Sequence, residues 1–468
     1  MNQQARKMRA RRIRLKKEEK RRRRMVVLSF DAVGAEDLSV LKKLPNFGRL
    51  CRQGALCENV ESVYPSITYP AHTTIITGRK PCSHGIINNT CFQPERENPD
   101  WMSSRRWIRG TTLYDEALKR GDRVCSLLWP VTGKSGITYN LPEIHAVRPW
   151  QNLIMKTIMD GSAGYVLSLL PHALKELKGV REPELDNFLE KAAVDTIMRY
   201  NPELMMIHFL DVDAHRHQLG TAHPEIRRAL KRLDGRIGRM MEALAKTEAG
   251  SCHRMEDTTV VVLGDHYQMD CHTVLYPNYL LKKHGLLHVD KKGRITDYQA
   301  AAKNCDGSCY VYLHPDVRKR PDMTEELTRK LTEIFQELSG GISRIFSARE
   351  AAEQGADDAC VMLLEAKNGY YFLDDCRRLT CPVDQLERHR MKATHGYLPS
   401  LPKYQTFFLA SGYGAKKGGA CSAMKLWDEA PTLARIMGLT LPDTDGCVRT
   451  ELLDLDGCVR TELLDLDG

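Results

Sequence analysis

Seven side chains suited to binding metal ions or supplying a nucleophile lie in five short polar stretches spread along the chain. Asp31 follows the strand-like Met25–Phe30, and Thr68 stands between Pro65 and Pro70, just ahead of a helical stretch from Ala71 to Thr77. Asp213 and His217 share the segment Asp213-Ala214-His215-Arg216-His217, Asp265 and His266 follow Gly264, and His395 sits in Thr394-His395-Gly396-Tyr397. Carboxylate oxygen and imidazole nitrogen are good zinc ligands, and manganese accepts the same donors. A threonine hydroxyl is a weak nucleophile until a cation or base lowers its pKa. The free N–H groups at a helix start favour an anion beside it.

Each feature has an ordinary structural explanation when taken alone. An Asp at a strand end caps the next turn, and a Thr ahead of a helix is a good N-cap. A lone His such as His395 is more often a hydrogen-bonded residue, and Asp–His pairs four apart share one face of many solvated helices. Asp211 and His215 form a second such pair in the same segment. Asn88, His72, His84 and Asp270 lie near these stretches and read as supporting residues. Tyr69 and the Trp129-Pro130 turn have two readings of equal weight, stacking a substrate base or packing a wall.

The set gains meaning from the elements that must position it. Met25–Phe30 ends at Asp31, Leu204–Leu210 runs into Asp211-Val212-Asp213, Thr258–Leu263 runs into Gly264-Asp265-His266, and Arg123–Trp129 ends at Pro130. Open α/β sheets present their sites at such carboxyl ends of strands. The spacing of Ile226, Leu230, Leu233, Ile237 and Met241 predicts one buried face of a helix over His223–Ala245. Alternating strands and helices predict an α/β fold with a mostly parallel central sheet. Between Asp297 and Asp375 the pattern changes to strands at Ser308–Leu313, Cys360–Leu364 and Tyr370–Leu373 and an amphipathic helix at Glu325–Leu338. This predicts an inserted, cap-like α+β unit over 297–375, between core segments 25–296 and 376–445.

These pieces, in this order, resemble the nucleotide pyrophosphatase/phosphodiesterase family of the alkaline phosphatase superfamily, including its bacterial type I phosphodiesterases. The resemblance covers roughly Met25 to Asp445. It rests on Ser29-Phe30-Asp31, Tyr64-Pro65-Ser66-Ile67-Thr68-Tyr69-Pro70, Thr77-Gly78, His84-Gly85-Ile86-Ile87-Asn88-Asn89, Trp129-Pro130, Asp213-x-x-x-His217-x-x-Gly220, Gly264-Asp265-His266 and Thr394-His395-Gly396-Tyr397. It implies an alkaline-phosphatase-like core, a central sheet sandwiched by helices, and two zinc ions. Asp31, Thr68, Asp265 and His266 match the first metal site, Asp213, His217 and His395 match the second, and Asn89 matches a residue that bonds a phosphate oxygen. Asp213 and His217 are preferred over Asp211 and His215 because only they keep the His-x-x-Gly spacing to Gly220. The implied reaction is hydrolysis of a phosphodiester or nucleotide pyrophosphate through a phosphothreonine at Thr68. A phosphomonoesterase or a phosphonoacetate-type phosphonate hydrolase is the alternative on the same ligands. The chain departs from the family at His266-Tyr267-Gln268-Met269, where Gly-Met usually follows Asp-His, so that loop is expected to be shaped differently.

The 468 residues carry a formal charge of +9, but the charge is concentrated at one end. Residues 1–24 hold thirteen Lys and Arg against two Glu, a net +11, which leaves about −2 for the rest. Such a run reads as a disordered tail, with an arm for nucleic acid or an anionic surface as its functional alternative; a nonenzymatic nucleic-acid binder would use it. With 42% hydrophobic and 28% charged residues the composition is globular, and no apolar run approaches a membrane span. The tail lacks the apolar stretch of a secretory signal, and fifteen scattered cysteines without a Cys-x-x-Cys pair read as reduced thiols, so a cytoplasmic location is expected. The eleven residues from Gly446 to Asp456 recur from Gly457 to Asp467, which reads as a duplicated surface tail over 446–468.

Overall fold

The apolar run Arg24–Phe30 forms an inner strand of a nine-stranded sheet in the computed structural model, which describes residues 23–247, 255–388 and 390–454. Across the sheet the order is Ala420–Cys421, Gly54–Glu61, Thr406–Gly412, Thr258–Leu263, Arg24–Phe30, Leu204–Phe209, Val124–Leu127 and Tyr139–Leu141, with Met424–Lys425 also paired to Gly54–Glu61. All pairings are parallel except the two made by Thr406–Gly412. The expected mostly parallel sheet is present. Register places Ser29 beside both His208 and Leu263, so the three inner strands end together and deliver their polar loops to one edge.

Side chains alternate along these strands and divide the apolar interior into two layers. Met25, Val27, Leu204, Met206, Val261 and Leu263 face a layer closed by the helices Thr68–Thr77 and Glu429–Met437. Val26, Leu28, Met205, Ile207, Val260 and Val262 face the other, closed by Pro45–Gln53, Glu184–Arg199 and Pro224–Lys246. Covering both faces is why the inner strands are apolar at nearly every position. The last of these helices was expected over His223–Ala245, and His223 itself is its cap, its Nδ1 accepting the Glu225 N–H at 3.2 Å.

The α+β unit is built on an antiparallel sheet in the order Ala300–Cys305, Ser308–Leu313, Met362–Ala366, Ile342–Ser347, against which Pro321–Phe335 buries Leu327, Leu331, Ile334 and Phe335. Its apolar cluster also takes in Leu275, Leu280, Leu281, Tyr397 and Tyr404, from outside 297–375. Strand pairing is the reason. Met269–Leu275 pairs in parallel with Gly369–Phe372 and antiparallel with Thr380–Pro382 and Ala393–Thr394, which ties both flanks of the unit into one body.

Two terminal readings change. Arg24, assigned to the basic tail, is 1% exposed and bonds Thr258 Oγ1 (3.0 Å), Asn201 Oδ1 (2.6 Å) and Thr247 Oγ1 (3.1 Å). Arg23 lies 5.0 Å over the Tyr413 ring. A guanidinium tolerates burial when its several N–H donors find acceptors. The basic residues before Arg23 lie outside the described residues. The first repeat copy is packed through Asp454 rather than forming a surface tail: Leu452 and Leu453 enter the first apolar layer, and Arg449 Nε donates to Asp428 Oδ2 at 2.9 Å. The second copy lies outside the described residues.

Glu365 joins the α+β unit to the core. Its Oε2 accepts from Tyr64 Oη at 2.7 Å and its Oε1 from the Leu398 N–H at 2.9 Å, so it braces the loops leading to Thr68 and from His395. Burial pushes its carboxyl from 4.5 up to about 8, outweighing both donated bonds. With the folded value raised, its contribution to stability is complete below the unfolded value and is lost as pH rises through about 8. Urea unfolding should show wild type losing stability relative to Glu365→Gln over that window. Glu365→Ala, which strands two donors, should cost about 1–3 kcal/mol.

Candidate metal centre

Asp31, Asp265 and His266 converge at the carboxyl edge of the sheet, each with a ligand atom within 4.8 Å of the others. The chain arrives there for local reasons. Asp31 continues the strand pairing, its N–H donating to Phe209 O at 2.9 Å. Gly264 passes so close to the neighbouring loop that a Cβ would meet Val33 O at 2.0 Å, so only glycine fits before Asp265. Each carboxylate has one oxygen held: His208 Nε2 lies 3.0 Å from Asp31 Oδ2, and the Ala32 N–H donates to Asp265 Oδ1 at 3.1 Å. The other two oxygens, Asp31 Oδ1 and Asp265 Oδ2, are buried without a hydrogen-bond partner.

The electrostatics explain what such a group wants. Burial and the charge of Asp213 push Asp31 up to about 7, and burial and Asp31 push Asp265 well above the usual carboxylate range. Burial and the neighbouring His395 hold His266 well below the usual imidazole range. Two carboxylates that resist ionising together, each with a spare oxygen, beside a neutral imidazole, fit a divalent cation. Thr68 completes the group. It opens the helix Thr68–Thr77, three residues earlier than the sequence indicates, with Oγ1 3.3 Å from His266 Nε2. In its first turn the Tyr69 N–H donates to Asn89 Oδ1 at 2.9 Å, the Ala71 N–H donates to Ile67 O at 3.1 Å and Pro70 has no N–H, so an anion there would meet the Thr68 N–H.

A second group joins Asp213, His217 and His395. His217 Nδ1 donates to Ala393 O at 2.8 Å, which turns Nε2 towards Asp213 Oδ1 at 3.3 Å. Burial opposes the charge of both, yet the Asp213 carboxylate raises His217 to about 9. His217, His395 and His266 in turn hold Asp213 below the carboxylate range. His395 is placed by Gly396, whose φ is +87° and whose Cβ would lie 1.8 Å from Cys305 O. Gly396 N–H donates to Ser66 O at 3.0 Å, and Gly307 N–H to His395 O at 2.8 Å. The His266 and His395 rings are 4.4 Å apart, so the two groups adjoin.

The rival pair is occupied elsewhere. Asp211 takes Arg232 Nε and Nη2 at 2.7 and 2.8 Å and Arg236 Nη1 at 3.3 Å, while His215 Nδ1 faces Asp211 O at 2.7 Å. The divergent loop after His266 also has a use. Gln268 donates its amide to Asp213, and the Tyr267 ring lies 4.5 Å under Arg216, which is paired with Asp37 at 2.7 Å.

Asp31 of the first group and Asp213, His217 and His395 of the second line a cleft of about 1090 Å3, together with Thr68, Tyr69, Asn89 and Trp101. Asn89 Oδ1 accepts the Tyr69 N–H at 2.9 Å, fixing Asn89 beside the helix start. Tyr69 sets its buried ring edge-on against Trp101 at 5.2 Å. Trp129 does not reach the cleft, and its reading as a substrate residue is corrected. It is fully buried behind the Thr68 helix, with Nε1 donating to His72 O at 3.4 Å. His72 contacts Thr68 O and Ser29 Oγ at 2.9 Å each. His84 contacts Thr74 Oγ1 at 3.0 Å. Asn88 donates to Asn304 O at 2.9 Å, and Asp270 accepts the Thr221 N–H at 2.7 Å. Sequence reading missed His208, Gln268 and the Trp101–His145 stack at 3.6 Å. For His208 a signal existed, a histidine inside the apolar strand Leu204–Phe209; for Trp101 there was none.

The sequence profile described as Type I phosphodiesterase / nucleotide pyrophosphatase matches residues 25–398. Human ectonucleotide pyrophosphatase/phosphodiesterase family member 1 is 24% identical over 266 residues, 55% of this chain and 25% of that protein. The venom phosphodiesterase of Macrovipera lebetinus is 24% identical over 260 residues, 54% of this chain and 26% of that protein. The chain thus spans about a quarter of the length of these curated relatives. Murine ectonucleotide pyrophosphatase/phosphodiesterase 5 superposes with a TM-score of 0.61 at 18% identity, over 92% of this chain and 100% of that one. Its inactive threonine-to-alanine form in complex with AMP gives 0.60, at the same identity and coverage. The shared architecture is the alkaline-phosphatase-like α/β fold.

The two Asp–His pairs can be separated by metal retention. After loading with zinc and desalting, His217→Ala should bind zinc at least about tenfold more weakly than wild type, and His215→Ala should match wild type, as read by competition with a chromogenic chelator.

Proposed function

Because the chain belongs to the type I phosphodiesterase/nucleotide pyrophosphatase family, we propose that it hydrolyses phosphodiester or nucleotide pyrophosphate bonds, with Thr68 as nucleophile and the two carboxylate–histidine groups as seats for two divalent cations. The observation that carries this reading is the position of Thr68: a hydroxyl at a helix start, 3.3 Å from His266, in a cleft lined by residues of both groups.

Asp31, Asp265 and His266 with Thr68 would hold one cation, and Asp213, His217 and His395 the other. Zinc suits these donors, manganese accepts them, and a pair of such ions supplies Lewis acidity to the attacking and leaving oxygens. Thr68 gives its proton to water in the cleft and attacks phosphorus in line; the bond to the leaving oxygen breaks, and that oxygen departs with the electron pair and takes a proton from water. Water then cleaves the phosphothreonine by a second in-line displacement, so configuration at phosphorus is retained overall. Asn89, fixed through its Oδ1, offers its amide NH2 to a non-bridging oxygen, alongside the Thr68 N–H at the helix start.

The breadth of the cleft supports a phosphorus centre with two substituents over a simple monoester. The AMP in the murine relative supports a nucleotide substrate, and the inactivity of its threonine-to-alanine form supports a threonine nucleophile. The cytoplasmic location belongs to the same proposal; the thirteen cysteines among the described residues are free thiols.

Zinc-loaded Thr68→Ala should lose at least about 1000-fold in kcat/KM on bis-p-nitrophenyl phosphate. Asn89→Ala should lose about 100-fold. Removing residues 1–22 should change neither rate. Wild-type turnover by Thr68→Ala would overturn the nucleophile. Faster cleavage of a monoester or phosphonate than of a dinucleoside pyrophosphate would move the chain to the alternative reaction class.

A further inference from the structure

Eight of the eleven large apolar side chains exposed among the described residues fall between Trp150 and Val180. They stand on three consecutive short helices, Leu153–Asp160, Ala163–Ser168 and Leu170–Glu176, and on the segments at either end. The inward faces of these helices are already used: Tyr165, Val166 and Leu169 are buried in the second apolar layer, with Ile158, Ala173 and Leu177 packed against it. The outward residues are therefore surplus to the core. Trp150 is 80%, Met159 70% and Leu174 85% exposed.

The charges on this face are one-sided. From residue 149 to 181 the exposed charged side chains are Lys175, Lys178 and Arg181, and no carboxylate is exposed. Asp160 is buried against Lys156 and Lys134, and Glu176 is partly buried against Lys191 at 3.3 Å. A second copy of the chain would set this basic face against itself with no acid to meet it. An anionic bilayer matches both properties, since apolar side chains enter the acyl boundary while Lys and Arg meet the headgroups, and Trp favours that depth. No helix among the described residues is long and apolar enough to cross a membrane, which leaves the three helices to lie along the surface.

We infer that residues 150–181 dock the protein on anionic lipid surfaces. The cleft lies close by. His145 and Glu143 line it, and the chain then passes through Arg148, fixed to Asp100 at 2.5 Å, and Gln151, whose Oε1 takes the Val147 N–H at 2.9 Å. Docking would hold the cleft beside the bilayer, within reach of phosphodiesters that partition there.

Flotation of the full chain with vesicles of phosphatidylcholine alone, or with about 30% phosphatidylglycerol, tests this. Wild type should float with the anionic vesicles and lose binding in high salt. The triple variant Trp150→Ser, Met159→Ser, Leu174→Ser should reduce the bound fraction at least about tenfold while retaining bis-p-nitrophenyl phosphate turnover. Lys175→Glu with Arg181→Glu, which touches no apolar packing, should weaken binding as well and carries the test should the triple variant fail to fold. Absence of binding to anionic vesicles, or binding undiminished in the variants, overturns the inference. A wild-type dimer in light scattering that the triple variant dissolves, without vesicle binding, would assign the face to a second copy.

Discussion

Carboxylates crowded at the dry edge of a sheet cannot all ionise without a counter-charge. At separations of ~4 Å and an effective dielectric near 20, two like charges repel by about 4 kcal/mol, more than a typical hydrogen bond returns. Asp31 and Asp265 show the consequence in their raised pKa values, and each keeps one buried oxygen that no protein donor satisfies. Asp213 is spared only because three imidazoles surround it. The fold spends strand register, a crowded glycine and a buried His208 on holding this unfavourable arrangement, and cations at both groups are what would make it favourable.

The arrangement also depends on the α+β unit. His395 sits on a loop pinned between Ser66 of the core and Gly307 of the unit, and Gly396 clears Cys305 O only because it has no Cβ. Asn88 reaches the same strand through Asn304 O, and Glu365 braces the chain before Thr68 and after His395. Nucleophile and second ligand group are therefore positioned by contacts that cross between the two sheets, and a disturbance in the unit should be felt at the site.

Much of this was legible in the sequence because its cause is local. A strand buried on both faces must be an apolar run, so the first polar residue after it marks the sheet edge; Asp31 and Gly264-Asp265-His266 stand out that way, whereas Asp213 is preferred over Asp211, the first polar residue after its strand, by the His-x-x-Gly spacing to Gly220. The Thr68 helix started earlier than read, since Pro70 looks like a barrier yet is tolerated in a first turn, where its missing N–H has no acceptor to lose. What failed was non-local. Trp129 has the same local signature whether it lines a cleft or packs behind a helix. The parallel pairing of Met269–Leu275 with Gly369–Phe372 joins segments far apart in the chain, which no periodicity reveals. Arg24 counts as tail by composition and as core by its three acceptors.

The most direct measurement is anomalous diffraction at the zinc edge from crystals of the zinc-loaded protein. The account predicts two peaks about 3.5–4 Å apart, one among Asp31, Asp265, His266 and Thr68 Oγ1, the other among Asp213, His217 and His395. A single peak, or density at Asp211 and His215 in place of the second group, would contradict it.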